Sequence, residues 1–325
     1  MSQELLEVTD LQVHYKVYEG LLKVLDGIDL TVEIKEKVAI IGESGCGKTT
    51  TMKAIMRILA PNAVLAGGKI TYKHGDLLDL GNRELSTLRR TSMSMIFQDP
   101  TAALNPVFKI GTQLEDIVRS STPTQEPTDR EVKARAVELL KSAALPEPER
   151  ILDSYAFQLS GGMRQRVCIA MALASARDLL IADEPGTSLD VTIEDQIMRL
   201  LKQIVEERDL SVILISHSIG AVKNFVTKVY VMYAGTMVEV APTEELFSNP
   251  KHPYTQDLLK AVPKLTGGGI PEGILGRIPS YLTPPAGCRF VSRCRFAMEE
   301  CRVKSPHLID LGKHHRVSCY LYGDS

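Results

Sequence analysis

The chain has 325 residues, 38 Lys plus Arg against 40 Asp plus Glu, six cysteines and no tryptophan. At 44% hydrophobic and 24% charged residues it has the composition of a soluble globular protein, long enough for one large domain with an appendage or for two domains. A formal net charge of −2 and a sequence pI near 6.4 exclude a global attraction to nucleic acid or anionic lipid and leave room only for a local basic patch.

The start, Met1-Ser2-Gln3-Glu4, lacks the basic and apolar regions of a signal peptide, so the expected compartment is the cytosol. No apolar run approaches the roughly 18 residues that cross a bilayer. From about residue 5 to 35 apolar and polar residues alternate, as in Leu11-Gln12-Val13-His14-Tyr15 and Ile28-Asp29-Leu30-Thr31-Val32, which predicts half-exposed antiparallel strands. Val38-Ala39-Ile40-Ile41 is instead a continuous apolar run, the pattern of a strand buried on both faces of a parallel sheet. Two more such runs, at 179–182 and 212–215, end in polar residues, which places the chemistry at strand C-terminal ends. Between about 100 and 175 the pattern is helical. Thr128 and Glu131 form a capping box, and Val132, Ala136, Leu139, Leu140 and Ala143 an apolar stripe, after a Thr/Pro-rich loop at 121–127. Residues 266–271 read as a linker, beyond which lie Cys288, Cys294, Cys301 and Cys319. In a reducing compartment such a cluster points to metal rather than to disulfides.

Gly42-Glu43-Ser44-Gly45-Cys46-Gly47-Lys48-Thr49 fits G-x-x-x-x-G-K-[ST] between a buried strand and a helix expected to turn Met52, Ile55, Met56 and Leu59 inward. Backbone N–H groups of such a loop wrap phosphates at a helix N-terminus. The spacing assigns Lys48 to the β- and γ-phosphates and the Thr49 hydroxyl to Mg²⁺, with Gly42, Ser44, Gly45, Cys46, Gly47 and Thr50 completing the nucleotide contacts. The strand at 179–182 delivers Asp183 and Glu184 side by side. Asp183 is expected to hold Mg²⁺ and Glu184 to polarise the attacking water as general base.

Leu159-Ser160-Gly161-Gly162-Met163-Arg164-Gln165 resembles the signature sequence of ABC ATPases, and Ser160 also suits the N-cap of a helix whose Met163, Val167, Met171 and Ala174 share one face. The resemblance implies that Ser160, Gly161 and Gly162 face the γ-phosphate of ATP held by a partner subunit, so that two subunits close on two nucleotides. It extends in order along the chain. Gln98 in Ile96-Phe97-Gln98-Asp99-Pro100 is similar to the Q-loop glutamine, a Mg²⁺ or water contact. Asp190 in Ser188-Leu189-Asp190 is similar to the D-loop, and His217 to the switch histidine. Tyr15 is the candidate for stacking on adenine, with Tyr18 as the alternative. Ser218, Gly186 and Lys35 depart from the common pattern and put the local geometry of the D-loop and switch regions in question.

Further stretches resemble the ATP-binding subunits of oligopeptide and dipeptide importers. They are Leu104-Asn105-Pro106, Met232-Tyr233-Ala234-Gly235, Pro250-Lys251-His252-Pro253-Tyr254-Thr255, Gly287-Cys288-Arg289-Phe290, Arg293-Cys294 and Val317-Ser318-Cys319. The cysteine spacing C-x5-C-x6-C-x17-C lacks the short knuckle usual for structural zinc. Four thiolates on wider loops suit a [4Fe–4S] cluster, with zinc and unliganded thiols as the alternatives, and the resemblance points to the cluster. Cys46 and Cys168 read as ordinary loop and packing residues.

The resulting expectation is an α/β fold with a P-loop, RecA-like ABC ATPase core, an antiparallel β subdomain and an α-helical subdomain. Residues 1–250 would form the nucleotide-binding domain and 251–325 a small cysteine-rich domain. The implied function is ATP-driven import of di- or oligopeptides, with oligosaccharides, nickel or glutathione as alternative cargo. The implied partners are a second ATP-binding subunit, of a different chain, two membrane-spanning subunits and an extracellular solute-binding protein. The implied location is the cytoplasmic face of the membrane. A soluble ABC ATPase acting on nucleic acid or ribosomes is opposed by the acidic pI and the lack of a basic arm.

Overall fold

A computed structural model describes residues 3–122, 127–187, 189–261 and 273–323. They group into two compact units, one from Met1–Glu33, Lys37–Leu78 and His217–Ser325 and the other from Ile34–Glu36 and Asp79–Ser216.

The first unit begins with β1 (Glu4–Val17) and β2 (Gly20–Glu33), an antiparallel hairpin. In β2 the side chains of Leu25, Ile28, Leu30 and Val32 are buried while those between them stay partly exposed, the alternation read from the sequence, interrupted by a bulge. β3 (Lys37–Ile41) follows, buried at four of its five positions, and leads through a glycine-rich loop into α1 (Lys48–Ile55). Met52, Ile55 and Met56 are buried as expected. Leu59 lies beyond the end of this helix and is only half-buried, because the backbone leaves the helix at Met56 and Arg57 takes a left-handed φ of 52°. β4 (Ala63–Tyr72) and β5 (Gly75–Asp76) complete an antiparallel sheet of order β2-β1-β4-β5, the predicted β subdomain.

The second unit carries α2 (Asn82–Thr91), β6 (Met93–Ile96), α3 (Pro100–Ala103), α4 (Ile110–Ser121), α5 (Asp129–Ser142), α6 (Pro148–Asp153), α7 (Gly161–Ser175), β7 (Leu179–Asp183), α8 (Val191–Glu207) and β8 (Ser211–Ile215). Strands β6, β7 and β8 pair in parallel and are buried throughout, which explains why they read as unbroken apolar runs. The capping box forms as predicted. Thr128 N donates to Glu131 Oε2 at 2.8 Å and Glu131 N to Thr128 Oγ1 at 3.4 Å, and the stripe Val132, Ala136, Leu139, Leu140 and Ala143 is buried. The face of α7 shared by Met163, Val167, Met171 and Ala174 is only partly buried. Met163, Met171 and Ala174 are half-buried, whereas Cys168, Ile169, Ala172 and Leu173 join Val167 in the core. This helix is apolar around most of its circumference, so its sequence carries no single stripe.

The chain returns to the first unit through α9 (Ile219–Phe225), β9 (Lys228–Tyr233) and β10 (Thr236–Pro242), then α10 (Thr243–Ser248), α11 (Pro253–Lys260), α12 (Glu300–Val303), β11 (Ile309–Asp310) and β12 (Arg316–Val317). β9 runs parallel to β3, β10 antiparallel to β9, and β12 antiparallel to both β10 and β11. The described residues after 250 therefore extend this unit and do not separate as the expected small domain. The linker predicted at 266–271 lies outside the described residues.

Candidate functional site

In the first unit the loop between β3 and α1 is fixed by glycine. Gly42 has φ +154°, and a Cβ there would run into the Met232 carbonyl and the Cys46 sulfur, so no side chain fits. Gly47 caps α1 in a left-handed conformation, φ 115°. Lys48 is buried, and its ammonium donates to the carbonyls of Gly42 at 2.8 Å and Glu43 at 2.9 Å. Ser44 and Gly45 are exposed, while Thr49 and Thr50 in the first turn of α1 are half-buried. Cys46 is fully buried; burial pushes its thiol pKa up against the pull of the neighbouring Lys48 charge, so it packs as a neutral thiol. Tyr15 sits half-buried in β1 opposite Leu22, and Tyr18 is fully exposed in the turn that follows. His217 is exposed just after β8.

The second unit holds the carboxylates. β7 ends in Asp183, 2% exposed, and the next residue, Glu184, is 6% exposed with a left-handed φ of 49°. A non-glycine residue held in this region stores strain, a feature that concentrates at functional sites. It is fixed by Glu184 N donating to the Ile215 carbonyl at 2.9 Å. Gln98 Nε2 donates to Glu184 Oε2 at 2.7 Å, so two candidate site residues 86 apart in sequence meet. Gly186 has its own explanation: a Cβ at this position would contact Glu194 in the first turn of α8. Ser160 caps α7, its hydroxyl accepting from Met163 N at 3.3 Å, with Gly161 and Gly162 in the first turn. Asp190 stands at the N-cap position of α8, and Ser188 lies outside the described residues.

The four clustered cysteines face one cavity, which Phe290, His252 and Pro253 also line. Cys288 is pushed up to about 12 and Cys319 to about 11, and Cys294 is raised, in each through burial first and then through the neighbouring thiols. Opposing that shift, backbone N–H groups of Phe290, Phe296 and Leu321 hydrogen-bond to Cys288, Cys294 and Cys319, and Met298 N approaches Cys301 Sγ at 3.5 Å. Yet among the described residues no three His, Cys, Asp or Glu side chains form a group able to hold a metal ion. The expected iron–sulfur site has a shared cavity and sulfurs that accept N–H groups, but no formed ligand cage. Cys168, the sixth cysteine, is buried in α7 and pushed up to about 12 by burial.

Several residues at the loop were not read from the sequence. Tyr254 lies in α11, and its hydroxyl accepts from Glu43 N at 2.8 Å; the Tyr281 hydroxyl donates to the Gly45 carbonyl at 2.7 Å. Arg293 grips both carboxylate oxygens of Glu43, at 2.7 and 3.0 Å. The segment around His252, whose residue types point to no chemistry, is a helix start: His252 Nδ1 accepts from Tyr254 N at 3.0 Å and caps α11. His252 N and Lys251 N both donate to the buried carboxylate of Glu239, which also meets His315 Nε2 at 2.7 Å. Burial holds His252 at about 4, hence neutral at ordinary pH.

A glycine-rich loop between a buried strand and a helix that begins Lys-Thr, with an Asp-Glu pair at the end of another buried parallel strand, defines a P-loop nucleotide-binding protein. Residues 25–187 match the family described as ABC transporter, and residues 238–301 the C-terminal region of oligopeptide/dipeptide transporters. The chain is 41% identical over 322 residues to the dipeptide transport ATP-binding protein DppD of Bacillus subtilis, covering 98% of this chain and 95% of that protein. It is 39% identical over 318 residues to the oligopeptide transport ATP-binding protein OppD of Haemophilus influenzae, covering 98% and 97%. Among solved structures, the ATP-binding cassette MJ0796, a dimer in a post-hydrolysis state bound to ADP and Pi, superposes with a TM-score of 0.66 at 28% identity, over 74% of this chain and 99% of that one. The chain belongs to the ABC transporter family, as one of its ATP-binding proteins.

Proposed function

We propose that this chain is the ATP-hydrolysing subunit of a peptide importer. The reading is carried by relatives named for dipeptide and oligopeptide transport, about 40% identical along almost the whole chain, and by the peptide-transporter region at 238–301. Lys48 and the N–H groups of residues 42–49 bind the triphosphate, Tyr15 stacks on the adenine, and Thr50 completes the contacts. The Thr49 hydroxyl, the Asp183 carboxylate and the Gln98 side-chain oxygen are each donors of the hard oxygen type that Mg²⁺ takes. A Mg²⁺ ion bound with the nucleotide would supply neutralisation of charge on the β- and γ-phosphates. Glu184 takes the proton of the attacking water, and the amide of Gln98, already 2.7 Å from its carboxylate, orients it. Ser160, Gly161 and Gly162 bring the N-terminus of α7 to the γ-phosphate held by the partner subunit, where the helix dipole favours the anion. Asp190 lies at the same dimer interface and His217 contacts the γ-phosphate.

The assembly in this reading has a second ATP-binding chain, two membrane-spanning subunits and an extracellular solute-binding protein. No helix among the described residues is long and apolar enough to cross a membrane, which suits a peripheral subunit at the cytoplasmic face. Cys288, Cys294, Cys301 and Cys319 around their cavity would be the ligands of a [4Fe–4S] cluster in this reading, a larger body than one ion and one whose sulfur ligands accept backbone N–H groups. Bound there, it would staple the C-terminal segment.

Co-expression of this chain with its neighbouring membrane subunits, followed by uptake of a labelled tripeptide into vesicles, tests the transport function. ATP-dependent uptake supports it, and ATP hydrolysis with no response to any peptide overturns the cargo assignment. Anaerobic purification with iron, sulfide and zinc analysis tests the cluster: about four irons and four sulfides are expected, and stoichiometric zinc without sulfide contradicts it.

A further inference from the structure

The phosphate-binding loop of this chain has a feature that its motif does not explain. Glu43 places a carboxylate in a loop built to receive a polyanion. That carboxylate is not left to solvent. Arg293, 250 residues further on, meets Oε2 at 2.7 Å and Oε1 at 3.0 Å in a two-point fork. The Arg293 side chain is 3% exposed, and every donor of its guanidinium is in use. Nε donates to the Leu275 carbonyl at 2.8 Å, one terminal nitrogen also to the Tyr233 hydroxyl at 3.2 Å, and the other also to the Ile274 carbonyl at 3.0 Å. A guanidinium so fully committed is a fixed charge, not a mobile surface arginine.

Two hydroxyls hold the backbone of the same loop. Tyr254 accepts from Glu43 N, and Tyr281 donates to the Gly45 carbonyl. Tyr254, Tyr233 and Phe290 form one aromatic cluster with ring centroids 4.6 to 5.4 Å apart, against the face of which Arg293 lies. The loop's conformation is thus set from outside it, by a stretch of chain beyond the residues matched by the ABC transporter family.

We propose that Arg293, with Tyr254 and Tyr281, is a positioning residue for nucleotide binding. Arg293 cancels the charge of Glu43, and the two tyrosines hold the loop backbone in its phosphate-binding form. The proposal rests on the reading of residues 42–49 as the ATP-binding loop. An uncancelled carboxylate beside the loop repels a ligand in proportion to its charge. Loss of Arg293 must therefore weaken ATP more than ADP and leave adenosine almost untouched, a graded signature that general loosening of the fold does not produce. Because Arg293 adjoins Cys294 in sequence, the C-terminal segment becomes part of the nucleotide site and not an appendage.

The test is calorimetric binding of ATP, ADP and adenosine to the full chain and to Arg293→Gln, Glu43→Gln and the double variant. Arg293→Gln is expected to bind ATP on the order of ten-fold more weakly, ADP a few-fold more weakly and adenosine unchanged. Glu43→Gln is expected to bind ATP at least as well as wild type, and the double variant to recover most of the loss. Arg293→Lys keeps the charge and gives up the fork, and it is expected to stay within about three-fold of wild type for ATP. Equal weakening of all three ligands, or a double variant as weak as Arg293→Gln, would overturn the charge assignment. An Arg293→Lys loss as large as that of Arg293→Gln, or an Arg293→Gln protein that binds ATP as wild type does, would do the same. A wild-type chain that binds no ATP at all overturns instead the reading of the loop, and the proposal with it.

Discussion

His252 gives the account a pH dependence with a definite sign. The imidazole is buried, its Nδ1 accepts from Tyr254 N, and burial lowers its pKa from 6.5 to about 4. A protonated ring loses that acceptor and carries a buried charge. The unfolded chain takes up the proton more readily than the folded one between the two values, so stability is fully present above about 6.5 and falls as the pH drops toward about 4. A drop from 6.5 to about 4, at about 1.4 kcal/mol per tenfold change, gives a full effect of roughly 3 to 4 kcal/mol, of which about 2 kcal/mol appears between about pH 7 and about pH 5. Glu239, which accepts from His252 N, lies near and moderates the shift. Replacing His252 by Asn keeps an acceptor at the cap without a titrating ring. Denaturant unfolding followed by tyrosine fluorescence, which no tryptophan obscures in this chain, measures both proteins at both pH values. The wild type should lose about 2 kcal/mol more than His252→Asn on acidification. Equal losses in the two proteins would show that His252 is not held neutral by its burial.

Other expectations follow from the two units. Gln98→Ala removes the amide that orients Glu184 and should lower turnover by roughly ten- to a hundred-fold with little change in ATP affinity, read from steady-state phosphate release against a nucleotide titration. Lys48→Ala should weaken ATP binding itself, since the ammonium is the loop's only side-chain cation, and equilibrium dialysis with labelled ATP checks this. Ser160→Ala loses the cap of α7 at a cost of about 1 kcal/mol and, in the proposed dimer, slows turnover of the nucleotide bound to the partner. Phe290→Ala empties the centre of an aromatic cluster and should cost about 3 to 5 kcal/mol, seen in the denaturation midpoint of the full chain.

The parts of this fold that were legible in the sequence are those that need a fixed short spacing. Phosphate binding needs glycines and a lysine within eight residues, so Gly42 to Thr49 could be read directly, and buried parallel strands betray themselves as apolar runs such as β7. The Thr128 and Glu131 box is equally local. Where burial comes from several sides at once, as in α7, periodicity marks no single core face. Leu59 lies outside α1, and nothing local in the sequence marks the backbone's departure from the helix at Met56. The Arg293 and Glu43 pair could not be found from spacing at all: opposite charges 250 residues apart have countless alternative partners, and only the return of the chain through β9 and β10 sets them together. The same holds for the bond from His252 N to Glu239 in β10, which spacing does not mark. The cysteines were grouped correctly by sequence proximity, yet a common cavity is as far as that grouping reached.

The central claim, that this chain converts ATP hydrolysis into peptide import through Glu184, is tested most directly by Glu184→Gln in the assembled transporter. Nucleotide binding and phosphate release measured on the same preparation should show ATP bound with wild-type affinity and phosphate release reduced to the uncatalysed background, with peptide uptake lost. Phosphate release at the wild-type rate would contradict the account.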